Sequence, residues 1–455
     1  MYTIIEKRRI RPVLRNPADQ REANVDCFSE LNRRQMLALA TAAGLAPTLT
    51  PLGARARQPA PAAADAVALS PSILDYLGDL DLATRELSKT WKPDDIAYRA
   101  DVYRQIMMNL SYSYFALFHA DPEHPDWAPL WNPVYLQQPN PDTIYLYAPL
   151  RGDLTYRVSG NRGTCFSLLF STQHNFSGFV DTFAEMTHIH TFDDKGLQVG
   201  PDGEFEILFS ARRPDNYGGN WAPLTPDTDT MMVRYVSQDW AKERDPQLSI
   251  ECLDHVPPKR RLTPDDIVQR IRKMAQFPAH MDRIFFWQQN DLKLRAGVNK
   301  FELQHLTGVE FQYYWPAAFE FSPGEALVIA TDLPKIRPYW NLQLNDPYFN
   351  CVEYVYRLSS TNGAMAHIAS DGRFYAVVSL DDPGVPNWLD PAGFTEGTLW
   401  GRWYGCDSRP LPTIQRVAFT DVGKLLPRDT PHIAPGQRRA ELQARVRAAQ
   451  RRRRW

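Results

Sequence analysis

Hydrophobic and polar positions follow a helical pattern at the start of the chain and a strand-like pattern through most of the rest. Between residues 72 and 118, apolar side chains recur at helical spacing and predict two helices, the second beginning at Pro93-Asp94-Asp95. After Pro125, short alternating apolar runs end in turn residues, which predicts strands. Thr263-Pro264-Asp265-Asp266 begins another predicted helix, because a capping threonine precedes proline and two acidic residues. The strand pattern resumes near Phe301.

The strand-rich region contains one sequence pattern twice. Residues 202–210 read Asp-Gly-Glu-Phe-Glu-Ile-Leu-Phe-Ser and residues 371–379 read Asp-Gly-Arg-Phe-Tyr-Ala-Val-Val-Ser, an offset of 371 − 202 = 169. Arg234 and Arg402 continue the correspondence, with an offset of 402 − 234 = 168. A repeat of this length has the size of a domain. We therefore predict a mainly β fold of two tandem jelly-roll-like β-sandwich domains, with helical segments before and between them and a cleft between the two domains.

These patterns divide the chain into five predicted segments. They are an export signal at 1–56, a linker at 57–69, a helical segment with the first β-sandwich repeat at 70–255, a helical insertion with the second repeat at 256–434, and a basic tail at 435–455.

The first segment resembles a twin-arginine export signal. Arg33-Arg34 precedes an alanine-rich apolar run, and Ala54-Arg55-Ala56 is typical of a cleavage site. The run is too short for a stable membrane span, so we expect a periplasmic or extracellular protein. A disordered arm with a chance arginine pair is the alternative.

The charge of the chain limits its partners. A formal net charge of −2 gives no overall attraction to nucleic acid, so we expect no nucleic-acid partner. The tail is different, because residues 437–455 contain eight arginines. They predict either contact with an anionic membrane surface or partner, or a solvated helix end. The oligomeric state stays open.

The cysteines do not form a metal or redox motif. Cys165, Cys252, Cys351 and Cys406 follow the leader, and none belongs to a C-x-x-C pair, which argues against a zinc ribbon. Three disulfide pairings are possible among them, and buried free thiols are the interpretation that we favour.

Several motifs together resemble an uncharacterised bacterial family. They are Asn140-Pro141-Asp142-Thr143-Ile144-Tyr145, the Asp-Gly-x-Phe strand, Pro386-Asn387-Trp388-Leu389 and Gly401-Arg402-Trp403-Tyr404-Gly405. The N-terminal part of that family is catalogued as domain of unknown function 1254 and the C-terminal part as the related domain 1214. The resemblance covers most of residues 125–425. It implies a pair of jelly-roll-like β domains and no particular reaction.

Three pairs of equivalent residues are candidates for substrate binding. Arg234 and Arg402 lie on otherwise apolar strands, where an arginine needs a carboxylate, a carbonyl cluster or an anionic ligand. Retention in both repeats favours a structural role, such as fixing the Asn-Trp turn of the same domain. Asn220-Trp221 and Asn387-Trp388 follow loops, and each tryptophan either covers a core edge or offers a stacking surface to a sugar or planar ligand.

His188 and His190 are the candidate metal ligands. Residues two apart in a strand face the same side, so both imidazoles could bind one ion with a third ligand from elsewhere. Two surface or hydrogen-bonded histidines are the alternative. The cofactor therefore remains unknown.

Asp142, Tyr145 and His174 are the candidate catalytic residues. Asp142 either caps the turn after Pro141 or acts as a general acid or base beside Tyr145 or His174. The Gly-x-Ser-x-Gly, phosphate-loop and His-Glu-x-x-His motifs are absent from the sequence, which argues against the corresponding enzyme classes.

Two functions follow from these observations. The first is a cell-envelope hydrolase that acts on an apolar or carbohydrate-like small molecule in the cleft between the domains. The second is a non-catalytic protein that binds a small-molecule ligand in the same cleft. Buried carboxylate or histidine pairs in the cleft would favour the enzyme, and their absence would favour the binding protein.

Overall fold

The structure, a computed structural model, describes residues 69–88, 95–175, 178–182, 185–305 and 311–452. The predicted export signal and nearly all of the predicted linker lie outside the described residues. These described residues belong to one compact unit.

The described part of the chain contains five α-helices. They are α1 Leu80–Ser88, α2 Ile96–Tyr114, α3 Pro264–Ala296, α4 Val422–Leu425 and α5 Pro435–Arg451. As predicted, α3 begins after Thr263, whose side chain accepts a hydrogen bond from the backbone N–H of Asp266 while the Asp266 carboxylate accepts one in return. No described helix is both long enough and apolar enough to cross a membrane.

The described strands all lie between residue 128 and residue 418 and make the fold mainly β, as predicted. They are β1 Ala128–Pro129, β2 Thr143–Pro149, β3 Tyr156–Asn161, β4 Ser167–His174, β5 Thr187–Asp193, β6 Glu204–Ser210, β7 Asn220–Pro223, β8 Thr230–Val236, β9 Gln247–Cys252, β10 Gln312–Glu320, β11 Glu325–Thr331, β12 Tyr339–Asn345, β13 Ser360–Asn362, β14 Phe374–Val378, β15 Trp388–Leu389, β16 Glu396–Tyr404 and β17 Thr413–Ala418.

Four sheets form two β units with the same topology. The first unit has a sheet β1-β2-β8-β4-β5 and a sheet β7-β6-β3-β9, and the second has a sheet β10-β16-β12-β13 and a sheet β15-β14-β11-β17. Apart from β1, every strand of the first unit has an equivalent in the second. In both units the short strand after the Asn-Trp turn pairs in parallel, as β7 with β6 and β15 with β14. The sequence repeat is therefore a structural repeat, although the jelly-roll description remains a prediction.

Each β unit has its own hydrophobic core between its two sheets. The core of the first unit includes Tyr156, Phe170 and Phe209, and that of the second includes Trp315 and Trp403. Because strand residues alternate between faces, the neighbours of these core residues lie on the opposite face of each sheet.

The second faces of the sheets β1-β2-β8-β4-β5 and β10-β16-β12-β13, here called the inner sheets, contribute to the contact between the units. On β12, core-facing residues alternate with Asn341 and Gln343, which bond to the loop before β2. Asn341 Nδ2 donates to Asn140 Oδ1 over 2.8 Å, and Gln343 Nε2 donates to the Pro139 carbonyl over 3.2 Å. These two contacts between the units are polar and buried, while Trp240 of the first unit also packs against Tyr354 of the second.

The tail forms helix α5, and one face of it holds the two β units together. Arg438, Arg445 and Arg452 are buried at seven-residue spacing. Arg445 lies over the ring of Trp240 from the first unit, 4.6 Å from its centroid, and its Nη2 donates to Ser360 Oγ of the second unit over 2.6 Å. The prediction of a solvated helix end is therefore wrong for this face. Contact with an anionic membrane stays a prediction for the exposed arginines of α5.

We expect Arg445→Ala to lower the free energy of unfolding by about 3 kcal/mol, because it leaves the Tyr354 carbonyl and the Ser360 hydroxyl without their buried donor. Guanidinium chloride unfolding measures this change. Arg447→Ala is the control, because Arg447 is an exposed arginine of the same helix and its loss should change stability by less than about 0.5 kcal/mol. Equal effects of the two variants would contradict a clamping role for Arg445.

The four cysteines of the described chain are free, in agreement with the interpretation that we favoured. Burial raises the pKa of Cys165 to about 12, so its thiol is protonated at neutral pH.

Candidate ligand site between the two β units

On the inner sheet of each β unit, a tyrosine and an arginine are direct neighbours on adjacent strands. On adjacent antiparallel strands, Tyr145 of β2 is paired with Arg234 of β8, and Tyr314 of β10 is paired with Arg402 of β16. The tyrosines are separated by 314 − 145 = 169 residues, which matches the offset of the sequence repeat. Both pairs therefore occupy equivalent positions on the face opposite the core.

The two pairs lie close enough to influence one another electrostatically. Burial raises the pKa of Tyr145, and the positive charges of Arg402 and Arg234 both oppose that rise. Burial lowers the pKa of Arg234, while Tyr145 and Tyr314 oppose the change. Tyr145 thus lies within electrostatic range of Arg234, Tyr314 and Arg402, and these four side chains are here called the Arg–Tyr cluster.

Arg402 is buried and held by neutral acceptors. Its Nη1 donates to Gln343 Oε1 over 2.7 Å and to Asn341 Oδ1 over 3.3 Å, both on β12. Its Nη2 donates over 2.8 Å to Oε1 of Gln138, in the loop before β2. The guanidinium also lies over the ring of Tyr314, 5.5 Å from the centroid. These contacts fix the position of the charge without neutralising it.

Arg234 has fewer contacts than Arg402. Its Nη1 donates to Ser171 Oγ over 3.2 Å, the one hydrogen bond that the described residues give this side chain. Although burial lowers its pKa, the residue keeps accessible surface. Among the described residues, no carboxylate lies within ion-pair distance of either Arg234 or Arg402.

A polar chain leads from Arg234 to the edge of the inner sheet. Ser171 Oγ, which accepts from Arg234, lies 3.3 Å from Thr191 Oγ1, and that atom lies 2.9 Å from His188 Nε2. Burial lowers the pKa of His188, and the charge of Arg234 lowers it further. The imidazole is therefore neutral at pH 7.

The loop before β2 covers the Arg–Tyr cluster with an unusual backbone. Trp131, Tyr135, Gln137 and Gln138 all have positive φ, between 30° and 60°. Each such non-glycine residue costs about 1 kcal/mol or more, and such strain is concentrated at functional sites. The buried side-chain amide of Gln137 has no hydrogen-bond partner among the described residues. The loop therefore carries both strain and unused polar groups next to the cluster.

Asp142 has a different role from either prediction. Asn140 makes the local turn, because its Oδ1 accepts from the backbone N–H of Asp142 over 3.0 Å. The Asp142 carboxylate instead accepts three hydrogen bonds, from Trp240 Nε1 over 2.9 Å, Tyr339 Oη over 2.7 Å and Asn362 Nδ2 over 2.7 Å. Burial raises its pKa while these donors lower it. Both carboxylate oxygens are thus occupied by protein donors.

His174 lies far from Asp142. The Ser167 end of β4 is the end near Asp142, and His174 is the last residue of the same strand, about 23 Å away at the rise of a β-strand. Its Nδ1 lies 3.0 Å from Asp229 Oδ2 at the protein surface. The alternative in which His174 assists Asp142 is therefore wrong.

A β-bulge changes the relation between His188 and His190. The register pairs His188 with Gln173 and His190 with Thr172, which are consecutive residues with side chains on opposite faces of β4. His188 therefore faces the Arg–Tyr cluster and His190 faces away from it. Among the described residues, no group of three histidine, cysteine or acidic side chains is arranged to hold a metal. A metal at this pair stays a prediction that elemental analysis of the purified chain would test.

The Asn-Trp turns form hydrogen bonds within their own units. They belong to the sheets β7-β6-β3-β9 and β15-β14-β11-β17, here called the outer sheets. Asn220 Nδ2 donates to the carbonyls of Gln198 and Glu206, each over 2.9 Å. Its equivalent Asn387 donates to the carbonyls of His367 and Tyr375, each over 2.7 Å.

The indole N–H groups of the tryptophans in these turns also donate hydrogen bonds within their own units. Trp221 Nε1 donates to Ser210 Oγ, and Trp388 Nε1 donates to the Ser379 carbonyl, each over 3.0 Å. The structure keeps the two Asn-Trp pairs and the two arginines apart, because the turns belong to the sheets opposite the Arg–Tyr cluster. The predicted bond between each arginine and its own Asn-Trp turn is not formed.

Sequence reasoning missed Tyr314 and Gln343. Tyr314 could have been found, since adding the repeat offset of 169 to Tyr145 gives its position. Gln343 carried no such signal, because its contact with Arg402 joins residues 59 positions apart on neighbouring strands.

Comparison with known families identifies one region. Residues 147–238 match the family model described as "Protein of unknown function (DUF1214)". The match shows a DUF1214 domain in the first β unit. The resemblance in the sequence had placed this domain in the C-terminal part. No curated protein matches the chain.

Comparison with solved structures supports the fold. The crystal structure of an uncharacterised protein from Burkholderia cenocepacia is 28% identical, with a TM-score of 0.70, and the match covers 76% of this chain and 96% of that one. A protein from Vibrio parahaemolyticus is 12% identical over 74% of this chain and 100% of its own, but its TM-score of 0.40 is too low to carry an argument.

Proposed function

We propose that the protein binds a small molecule at the Arg–Tyr cluster between its two β units. The observation that carries this proposal is Arg234, a partly accessible arginine on the inner sheet of the first unit to which the described residues give one hydrogen bond. An arginine placed only for structure is normally surrounded by acceptors, as Arg402 nearly is. Unused donors at an interface between domains are typical of ligand sites.

Binding is better supported than hydrolysis by Asp142. A general acid or base must reach the ligand, but Asp142 and its donor Tyr339 are almost completely buried and bond to each other and to neighbouring side chains. This arrangement supports a structural role.

Hydrolysis remains a second candidate because of one residue. His188 is exposed, its lowered pKa keeps it neutral at pH 7, and the polar chain connects it to Arg234. Such an imidazole could act as a general base on a ligand that Arg234 holds. Turnover of ester substrates that His188→Gln abolishes would support this function, and the absence of turnover by the wild-type chain would leave binding alone.

The test of binding is a thermal-shift screen of the full chain against small acids, neutral sugars and apolar compounds. We expect at least one compound to raise the melting temperature in a concentration-dependent manner, because a ligand that binds only the folded state stabilises it. If no compound of any class does so, the proposal is overturned.

Two further features belong to the proposal without being part of the site. Export by the twin-arginine route is motivated by Arg33-Arg34, and loss of export on Arg33→Lys with Arg34→Lys would support it. The assignment of an N-terminal domain 1254 and of jelly-roll topology rests on the sequence resemblance.

A further inference from the structure

We infer that a cavity beside the start of α3 is a second binding site, and that it takes a small organic anion with an apolar body. The cavity has a volume of about 370 Å³. Pockets for small molecules usually measure about 300–1,000 Å³. None of the residues that line this cavity belongs to the Arg–Tyr cluster, so the inference does not rest on the proposed function.

Two segments that are distant in sequence line this cavity, here called the α3 cavity. One is residues 120–124, between α2 and β1, and the other is residues 257–262, between β9 and α3. The imidazole of His124 connects them, because its Nδ1 lies 2.9 Å from Asp121 Oδ1 and its Nε2 lies 2.9 Å from the Pro257 carbonyl oxygen. This contact fixes the two segments relative to one another.

The acidic residues of the lining already bind protein donors. They are Asp121 and Glu123. Asp121 Oδ1 accepts from the backbone N–H groups of Glu123 over 3.1 Å and of His124 over 2.9 Å. Glu123 Oε1 accepts from Arg151 Nη1 over 3.1 Å. The negative charge of the lining is therefore used within the loop and by Arg151.

Two basic residues of the lining carry charge that no described carboxylate neutralises. The basic residues are Arg151, Lys259, Arg260 and Arg270. Arg151 is paired with Glu123, and Arg260 Nη1 lies 2.9 Å from Asp266 Oδ2. Lys259 and Arg270 have no ion pair among the described residues. The α3 cavity therefore presents one ammonium and one guanidinium group without a counter-charge, and a concave site with such charge attracts anions.

The guanidinium of Arg270 is held in place by contacts that use only part of it. Its Nη1 donates to the Leu117 carbonyl, and its Cζ lies 5.7 Å from the centroid of the Phe118 ring. That ring is itself stacked on Tyr114, with 5.3 Å between the ring centroids and 9° between the planes. The other N–H groups of Arg270, together with the Lys259 ammonium, suit an acidic group such as a carboxylate or a phosphate ester.

The apolar part of the lining determines the rest of the ligand. Phe118, Pro258 and Leu262 line the same cavity as the two unpaired cations. An inorganic anion would contact the cations and leave this apolar surface in water, whereas an organic acid would cover both. The chemical class that fits the α3 cavity is therefore an acidic group attached to an apolar body.

The experiment is isothermal titration of the full chain with benzoate, phenyl phosphate, benzamide and inorganic phosphate. Benzamide has nearly the shape of benzoate without its charge, and inorganic phosphate has the charge without the apolar body. We expect benzoate or phenyl phosphate to bind at least about tenfold more tightly than either control compound, because only an organic anion uses both the cations and the apolar wall. The tighter of the two identifies the acidic group.

The variant Lys259→Gln with Arg270→Gln removes both unpaired charges and should weaken the organic anion at least about tenfold. Lys259→Gln alone should weaken it at least about threefold, as for one charge-assisted contact at an exposed position. The Lys259 side chain has no hydrogen bond or ion pair among the described residues, so this single variant keeps the folded structure.

The matched control is Lys300→Gln, which removes the same charge from an exposed lysine beyond the other end of α3. The 33 residues of α3 span about 50 Å at the rise of an α-helix, so Lys300 is far from the α3 cavity. This variant should bind the organic anion as the wild type does.

Equal binding of benzamide or of inorganic phosphate would overturn the inference, and so would wild-type affinity in Lys259→Gln with Arg270→Gln. Arg234→Gln separates the inference from the proposed function, because Arg234 does not line the α3 cavity. If Arg234→Gln weakens the organic anion and the double variant does not, the anion binds at the Arg–Tyr cluster, which supports the proposed function and overturns the inference. If no organic anion binds, the inference fails, and the thermal-shift screen decides the proposed function separately.

Discussion

Replacing Asp142 by alanine is expected to lower the free energy of unfolding by about 4 kcal/mol. The change leaves three buried donors without an acceptor, on Trp240, Tyr339 and Asn362. An unsatisfied buried donor costs about 1–3 kcal/mol, and water cannot replace the lost bonds without opening the contact. Because Asp142 belongs to the first β unit while Tyr339 and Asn362 belong to the second, the loss also weakens the contact between the units. Guanidinium chloride unfolding, followed by tryptophan fluorescence, measures the effect.

The control for Asp142→Ala is Asp227→Ala, which removes an exposed aspartate of the same unit and should change stability by less than about 0.5 kcal/mol. In the Tyr339→Phe variant, one of the three donors to Asp142 is already absent. Asp142→Ala should therefore cost less in a Tyr339→Phe background than in the wild type. Unfolding of Asp142→Ala at the wild-type denaturant concentration would show that this carboxylate does not hold the units together.

Replacing Asp282 by asparagine is expected to raise the free energy of unfolding at pH 8, the opposite of the effect expected for Asp142→Ala. Asp282 of α3 is buried against α2, where its Oδ1 accepts from Gln105 Nε2 over 3.2 Å and from Asn109 Nδ2 over 3.4 Å. Its Oδ2 and the Oδ1 of Asn109 both lack a partner among the described residues. In the protonated acid Oδ2 carries a proton, so Asp282 is buried there without a charge. Burial accordingly raises the pKa of Asp282 to about 8.

The sign of the pH dependence follows from the raised pKa. Below about pH 4 the Asp282 carboxyl is protonated in both the folded and the unfolded chain, so it contributes no difference. Between pH 4 and pH 8 the unfolded chain loses a proton that the folded chain keeps, so stability falls as the pH rises. An asparagine has the shape of the protonated acid and does not titrate. We therefore expect Asp282→Asn to raise the melting temperature by about 4 °C at pH 8 and by less than about 1 °C at pH 4.

Asp346→Asn is the matched comparison for Asp282→Asn. Burial raises the pKa of Asp346 to about 6, but this carboxylate accepts from the backbone N–H groups of Tyr348 and Asn350 and from Asn350 Nδ2. Its Oδ2, which an asparagine would replace by an amide nitrogen, faces the Asn350 donor. Asp346→Asn should therefore destabilise the protein. Melting temperatures at pH 4, 6 and 8 distinguish the two variants, and a lower melting temperature of Asp282→Asn at pH 8 would refute the account of Asp282.

The prediction of a duplicated β fold depended on local sequence, and it succeeded for that reason. Strand alternation, turn residues and the capping box at Thr263 act over a few residues, so the sequence records them directly. The repeat added a second, independent signal, because equivalent positions such as Asn220 and Asn387 keep the same backbone partners in both units. Those turns were taken as candidate binding sites, and in the structure each holds its own outer sheet.

The sequence was sufficient to single out three residues of the Arg–Tyr cluster, but it did not show that they belong together. Arg234, Arg402 and Tyr145 stood out as polar residues on apolar strands, but nothing local showed that Arg402 of the second repeat lies within electrostatic range of Tyr145 of the first. The same limit applies to His188, whose face is set by a bulge relative to β4, and to Asp142, whose three donors come from three distant segments.

Local sequence patterns were sufficient to predict the mainly β fold, its duplication, the start of α3 and the identity of the polar residues on the inner sheets. These properties follow from side-chain period, turn chemistry and residue type, which are local. Tertiary packing sets three other properties: Tyr145 lies within electrostatic range of the other three cluster residues, Asp142 accepts from three donors, and one face of α5 is buried. These properties depend on how one unit docks on the other, and docking is set by burial and hydrogen bonding between residues about 200 to 260 positions apart.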